Sequence, residues 1–115
     1  MITQDEVEKA IQWTIEHADA AAQAKADRET LKSFKESLES EIMLEVTTAA
    51  ALEGEELTSA AARMHALADD RYKAHLKGLH EAIRLDTKFA WLKSAAESRL
   101  EIFRTQEATK RILKV

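Results

Sequence analysis

Histidine is the side chain best suited to metal binding and proton transfer near neutral pH, and this chain has four of them. Two histidines on one helix can ligate a common metal when they lie three or four positions apart, on one face. His75 and His80 are five apart, which places them about 140° from each other around a helix. His17 and His65 are distant from both, and no His-Glu-x-x-His pattern occurs. We therefore predict surface or packing roles for the histidines and no metal site.

Paired carboxylates are the next candidates for chemistry. Glu41 and Glu45 share one helix face, as do Glu97 and Glu101, and such pairs can bind a divalent cation. A di-iron helical bundle, however, needs Glu-x-x-His motifs on facing helices, and the sequence has none. A nucleophilic serine elbow is also absent, and two glycines are too few for a phosphate-binding loop. Solvated helix faces explain the pairs, and we expect neither an enzyme nor a bound cofactor.

The composition of the chain indicates which elements must carry these residues. The 115 residues include no proline, no cysteine and two glycines, while 45% are apolar and 21 are alanine. So few turn-forming residues exclude β-sandwich and doubly wound α/β architectures. Alanine favours helix but adds little buried area, so we expect helices that approach one another closely. The predicted fold is all-α: a long helical hairpin or small helix bundle with coiled-coil-like packing.

The predicted organisation is a single helical domain over residues 1–115. One helix, or two nearly collinear helices with a weak point at Asp27–Arg28, is expected over about 4–52. The remainder divides into a turn at about 53–59 and helical segments over about 60–113.

Residues that typically begin or end helices support these bounds. Thr3 and Glu6 match a capping box, in which each side chain accepts from the other residue's backbone N–H. Gly54 can take the left-handed backbone conformation that ends a helix. Further candidate caps or joints are Thr58, Ser59, Asp69, Asp70, Asp86 and Thr87. The strongest interruption is therefore expected at Gly54.

Apolar residues recur at helical spacing along the chain. The stripes comprise Val7, Ile11, Ile15, Ala18 and Ala22; Leu31, Phe34, Leu38, Ile42, Val46 and Ala49; Tyr72, Leu76, Leu79 and Ile83; and Phe89, Leu92, Ala96, Leu100 and Phe103. Trp13 and Trp91 lie beside these stripes and widen the apolar face beyond what one helix covers. Either a bundle or association of two chains would cover the excess. A homodimer is favoured because two-fold assemblies are the commonest.

The charge of the chain is divided unevenly. Residues 1–57 hold 14 acidic and 5 basic side chains, a balance of −9, whereas residues 58–115 hold 7 and 12, a balance of +5. The basic half can bind nucleic acid through cations along one side of a helix. Complementation of the acidic half is the favoured interpretation, because that half would repel a polyanion. The candidate cations are Arg99, Arg104, Lys110, Arg111 and Lys114.

The sequence also bears on location. No segment approaches the roughly 18 consecutive apolar residues of a membrane-spanning helix. The first residues, Met1–Glu6, lack the basic start and apolar core of a signal peptide. We therefore expect a soluble, cytoplasmic protein with no membrane partner.

Three C-terminal segments carry a resemblance to other proteins: Tyr72–Ile83, Trp91–Ala96 and Ile102–Gln106. Over about residues 48–110 the chain resembles uncharacterised small all-helical proteins of bacteriophages and prophages. Genes of that group often lie near recombination and single-strand-binding functions. The resemblance implies an accessory role in phage DNA metabolism, with Arg104 and Gln106 exposed for a partner.

Two functions follow from these observations. The first is a non-enzymatic helical interaction protein, encoded by a phage or prophage, that self-associates and binds a protein partner. The second is a nucleic-acid-binding accessory factor in phage recombination or replication, which uses the basic C-terminal half. Oligonucleotide binding with a steep salt dependence would favour the second function.

Overall fold

The structure is a computed structural model that describes residues Met1–Lys114. Helix α1 spans Gln4–Leu52, α2 spans Ser59–Ala68 and α3 spans Asp70–Leu113. Within the described residues there is no strand. The predicted all-α fold class is confirmed. The bounds of α1, the start of α2 and the end of α3 lie within one residue of the expected ones.

Side-chain hydrogen bonds fix the start of α1. The Glu6 N–H donates to Thr3 Oγ1 and the Thr3 N–H donates to Glu6 Oε2, each over 3.2 Å, so the predicted capping box is confirmed. One turn later, Lys9 Nζ lies 3.0 Å from Asp5 Oδ2. The acidic residue precedes the basic one by four positions, which is the favourable orientation relative to the helix dipole.

A Schellman motif ends α1. The Glu55 N–H donates to Ala50 O over 2.9 Å, and the Gly54 N–H donates to Ala51 O over 3.1 Å. Gly54 has a φ of 79°, which side chains with a Cβ rarely adopt. The predicted turn at Gly54 is therefore confirmed, and two carbonyls that would otherwise lack helical partners are satisfied.

Polar side chains also cap the two helices that follow. Thr58 Oγ1 accepts from the Ala61 N–H over 3.1 Å at the start of α2. Asp69 Oδ1 accepts from the Arg71 N–H over 2.8 Å at the start of α3. Both caps satisfy a first-turn N–H that has no partner inside its helix.

Helices α1 and α3 are each continuous through a weaker candidate joint. Neither Asp27–Arg28 nor Asp86–Thr87 breaks its helix. Asp, Arg and Thr each cost less than about 1 kcal/mol of helix free energy relative to alanine, and neither site has a proline. Gly78 also lies inside α3, and a Cβ added there would meet nothing within 4 Å. Close packing therefore does not require a glycine at this position.

The described chain forms two compact units, to each of which both long helices contribute. The central unit is Lys25–Arg84. The terminal unit combines Met1–Ala24 with the chain from Leu85 onward. The single-domain organisation stays a prediction.

The core of the central unit contains large side chains beside buried alanines. Ile42 of α1 is 0% exposed and clusters with Ala66 of α2 and Tyr72 of α3. The surrounding half-buried side chains are Leu38, Met43, Val46 and Leu76. Full burial of a side chain the size of isoleucine stabilises by about 1.5–3 kcal/mol. All three helices therefore converge on one small apolar cluster.

Small side chains dominate the buried positions of the terminal unit. Those positions are Val7, Ala10, Ala24 and Ala96. Along this part of α1 the buried and half-buried residues include Val7, Ala10, Thr14, His17, Ala21 and Ala24. Their spacing alternates between three and four, which is the heptad pattern of a coiled coil. Alanine at these positions is suited to close approach between helices.

Part of the predicted apolar stripes is wrong. Ile11, Ala18 and Ala22 are exposed, and Ile15 is 66% exposed, although the stripe through them contains larger side chains than the buried one. Phe34, Ala49 and Leu92 are also exposed. The prediction assigns the larger apolar side chains to the buried face. Burial instead follows the positions at which small residues let a neighbouring helix approach.

Candidate interaction surface

Two histidines take part in packing. In the terminal unit the His17 ring stacks on Trp13, with ring centroids 4.6 Å apart, and lies 6.4 Å from the Phe89 ring. Its Nδ1 lies 2.8 Å from Trp13 O. In the central unit, His75 Nε2 lies 2.7 Å from Leu31 O. Because a carbonyl oxygen only accepts, each of these ring nitrogens donates. The His17 ring is thus held by a backbone carbonyl and aromatic neighbours, and the His75 ring by a backbone carbonyl.

The carboxylate and histidine candidates do not converge on a metal site. His65 and His80 are exposed. Among the described residues, no group of three or more potential metal ligands is placed to hold an ion. An open depression beside Glu41 is lined by exposed residues of α1 alone: Glu36, Ser37, Ser40, Glu41 and Leu44. One helix face does not enclose a substrate.

Glu45, the second member of that carboxylate pair, is bound by a guanidinium. Arg71 Nη2 lies 2.6 Å from Glu45 Oε2 and Nη1 lies 3.2 Å from Oε1, while Arg71 Nε lies 3.1 Å from Asp69 Oδ1. Hydrogen bonds from Arg71 lower the pKa of both carboxyls below their ordinary values. The same bonds raise the pKa of the Arg71 guanidinium. All three groups are therefore ionised at neutral pH.

Opposite charges also meet between α1 and α2 in the central unit. Arg63 Nε lies 2.9 Å from Glu39 Oε1, and the two residues are 24 positions apart in the sequence. Together with the Arg71–Glu45 pair, it joins the basic half of the sequence to the acidic half. Arg63, Arg71 and Glu45 are more than half exposed, whereas the Glu39 side chain is 17% exposed. Exposed ion pairs stabilise little, but these two show internal charge complementation in this unit.

The candidate cations of α3 do not form one row. Arg99, Arg104, Arg111 and Lys114 are exposed and make no ion pair within residues 1–114. Lys110 Nζ lies 3.4 Å from Glu107 Oε1. Arg99 and Lys110 lie about 20° apart around the helix, whereas Arg104 is about 140° from Arg99 and shares its edge with Arg111. The cations thus divide between two edges of α3.

Gln106 differs from its predicted exposure. The residue is half-buried, and its Oε1 is buried with no hydrogen-bond partner within the described part of the chain. Gln106 lies on α3 between Phe103 and Lys110, at the border of the packed side. The expectation of an exposed amide is therefore wrong.

An exposed face of α3 carries no charge. It contains Trp91, Ala95, Ser98, Ile102, Thr105, Thr109 and Ile112, at alternating spacings of four and three. All seven are exposed; Trp91 and Ile112 are 74% exposed and Ile102 is 48% exposed. We call this the uncharged α3 face. The ten charged residues between positions 88 and 114 all lie outside its line.

The two threonines of the uncharged α3 face satisfy their own hydroxyl donors. Thr105 Oγ1 donates to Glu101 O over 3.1 Å, and Thr109 Oγ1 donates to Thr105 O over 3.0 Å. Covering these hydroxyls would therefore leave no donor unpaired, which lowers the cost of burying the face.

Sequence reasoning identified only part of this face. Trp91 was expected to provide a second packing surface, and its exposure fits that expectation. Ile102 and Ile112 were not assigned to such a surface. The available signal was the absence of charge at a strict heptad spacing, in a chain of which 33% is charged.

Comparison with protein families, curated proteins and solved structures gave no match in any of the three. Of the described helices, none is both long and apolar enough to cross a membrane.

Proposed function

We propose that this protein is a non-enzymatic, cytoplasmic interaction protein that binds a helix of a protein partner along the uncharged α3 face. The single observation that carries the proposal is the exposure of Trp91, Ile102 and Ile112 on one uncharged line. Contiguous exposed apolar side chains mark interaction sites more often than scattered ones do. The three side chains belong to a line of seven residues at alternating spacings of four and three, which keeps one side of α3 facing a helix that lies along it.

The resemblance to phage and prophage proteins supplies the biological setting of this proposal. In that setting the protein acts as an accessory factor that recruits or holds another protein. The neighbourhood of the gene tests the setting: adjacent replication or recombination genes would support it. A chromosomal neighbourhood without phage genes would contradict it.

Partner capture tests the function itself. Tagged wild-type protein is used to isolate partners from the native host, beside an Ile102→Lys variant and a Leu44→Lys control. Leu44 is exposed on α1 in the central unit, so both substitutions place a charge on a helix surface. We expect a protein retained by wild type and control but depleted at least about tenfold by Ile102→Lys. Equal retention by all three would contradict the proposal.

Nucleic-acid binding is the second candidate function. The unpaired exposed cations of α3 favour it, namely Arg99, Arg104 and Arg111. Their division between two edges, with Glu97 and Glu101 on the same helix, favours protein binding instead. Fluorescence anisotropy with single- and double-stranded oligonucleotides at low salt separates the two functions. Binding that weakens steeply with salt would support the second, and no binding at low salt would exclude it.

A further inference from the structure

The uncharged α3 face is long enough to form a short coiled-coil interface. Its 22 residues from Trp91 to Ile112 extend about 33 Å at 1.5 Å per residue. The alternation of four and three positions keeps one line of side chains facing a partner helix over three heptads. Ala95 and Ser98 are small, so two backbones can approach there, while Ile102 and Ile112 supply apolar contacts.

The two edges of this face carry opposite charge. Arg99 lies at one edge, followed by Lys110 beyond it. Glu101 lies at the other edge, about 160° from Arg99 around the helix, with Glu97 nearby and with Arg104 and Arg111 beyond them, farther from the face. The charges nearest the face are therefore basic on one edge and acidic on the other.

Helix direction decides which edges meet when two identical helices pack together. In a parallel pair related by a two-fold axis along the helices, each edge lies against the opposite edge of the partner. In an antiparallel pair, each edge lies against its own copy. Parallel packing therefore places the Arg99 edge of one helix beside the Glu101 edge of the other, whereas antiparallel packing places like charges together. The face is complementary to itself in one direction only.

We infer that the occupant of the uncharged α3 face is a second copy of this chain, with the two α3 helices parallel and in register. This inference rests on the proposed function and names its partner. A strip about 33 Å long and about 10 Å wide covers about 330 Å² on each partner, which is less than half of the roughly 800 Å² per partner in a standard specific interface. The dimer is accordingly weak and forms in a concentration-dependent manner.

Cysteine cross-linking tests the direction and register. The chain has no cysteine, so each single substitution introduces the only thiol. In a parallel in-register pair the two copies of Ser98 face each other within reach of a disulfide. We expect Ser98→Cys to form a disulfide-linked dimer under mild oxidation at least about tenfold faster than Ser40→Cys, an exposed control on α1. Equal rates would overturn the inference.

An antiparallel pair makes a different prediction in the same assay. Centred on Ile102, it brings Ser98 of one copy against Thr105 of the other. A mixture of Ser98→Cys and Thr105→Cys proteins would then form the mixed disulfide in preference to either symmetric one. That outcome would contradict the parallel arrangement, whereas a dominant Ser98→Cys homodimer would support it.

Sedimentation over a concentration series tests the dimer without cross-linking. We expect the mass to rise from 12.9 kDa toward twice that value for the wild type and the Leu44→Glu control. Ile102→Glu and Trp91→Glu should stay at 12.9 kDa while keeping their helical circular dichroism, because both side chains are exposed. A wild type of 12.9 kDa at every concentration would overturn the inference. Partner capture that remained sensitive to Ile102 would then still support the proposed function.

Discussion

The central and terminal units differ in what they bury and in how they pair charge. The central unit encloses Ile42 and Tyr72 and joins its helices through the Arg71–Glu45 and Arg63–Glu39 pairs. The terminal unit buries mainly small residues. Its Lys9–Asp5, Lys93–Glu97 and Lys110–Glu107 pairs each lie within one helix.

The exposed apolar residues differ in the same way. On α1 in the central unit, Phe34 and Leu44 are exposed, but Glu41 lies between them on the exposed side. On α3 in the terminal unit, no charge interrupts the line from Trp91 to Ile112. The central unit thus pairs charges between its helices and buries two large side chains. The terminal unit leaves an uncharged line of side chains exposed on α3.

The largest expected effect tests the central core. Ile42→Ala should lower the free energy of unfolding by about 2–5 kcal/mol, because it removes apolar contacts and leaves a cavity at a fully buried position. Leu44→Ala, two positions away and exposed, should change it by no more than about 0.5 kcal/mol. Urea denaturation followed by circular dichroism measures both. Similar losses for the two variants would remove the contrast between core and surface.

An overpacking pair tests the terminal unit. Ala96 is buried and Ala90 is exposed on the same helix. Ala96→Leu should cost about 1–3 kcal/mol in unfolding free energy, since the added methylenes force neighbouring helices apart. Ala90→Leu should stay within about 0.5 kcal/mol of the wild type. If both leucines were tolerated equally, small-residue packing would not describe this unit.

The two glycines should respond in opposite directions to the same change. Gly78→Ala should raise the free energy of unfolding by about 0.5–1 kcal/mol, because the helix gains a better former and the added Cβ meets open space. Gly54→Ala should lower it by about 1–2 kcal/mol, because its φ of 79° is unfavourable for alanine. Thermal and urea unfolding measure both. Stabilisation by Gly54→Ala would show that the Schellman turn does not need glycine.

The smallest expected effect concerns the exposed Arg71 pairs. The pKa values of Glu45 and Asp69 are lowered in the folded state, so their contribution to stability is present above the ordinary values of 4.5 and 3.8. It is lost as the pH falls through the lower folded values. Arg71→Gln should therefore destabilise slightly at pH 7, with a difference from wild type that shrinks toward acid.

Thermal unfolding between pH 7 and pH 2 measures this dependence. Arg99→Gln is the matched control, because Arg99 makes no ion pair within residues 1–114. Its difference from wild type should be small and should not follow the titration of Glu45 and Asp69. A pH-independent effect of Arg71→Gln would show that these ion pairs are not the source of its stability.

Local features of the fold could be predicted because their causes are local. The capping box at Thr3, the turn at Gly54 and the caps at Thr58 and Asp69 each depend on a few adjacent residues. The face that each helix buries was predicted less well. Ile15 satisfies every local criterion for a core position, yet the buried line runs through Ala10 and Ala24.

The candidate site shows the same division between local and long-range causes. The sequence of α3 alone shows that Trp91 lies beside the apolar stripe of that helix and widens its apolar face. The exposure of Ile102 and the burial of Gln106 Oε1 could not be recognised. Both depend on where a neighbouring helix lies. Gln106 is half-buried, whereas Lys110, about one turn farther along the same helix, is exposed.

The sequence by itself determined that this chain is helical, where its helices begin and end, and where it turns, because capping, glycine conformation and the absence of proline act within a few residues. Only the tertiary structure decided which line of each helix is buried. That choice depends on how closely two backbones approach, and at the approach distance of α-helices alanine is buried while isoleucine one position away remains exposed. The same choice left the uncharged α3 face in solvent.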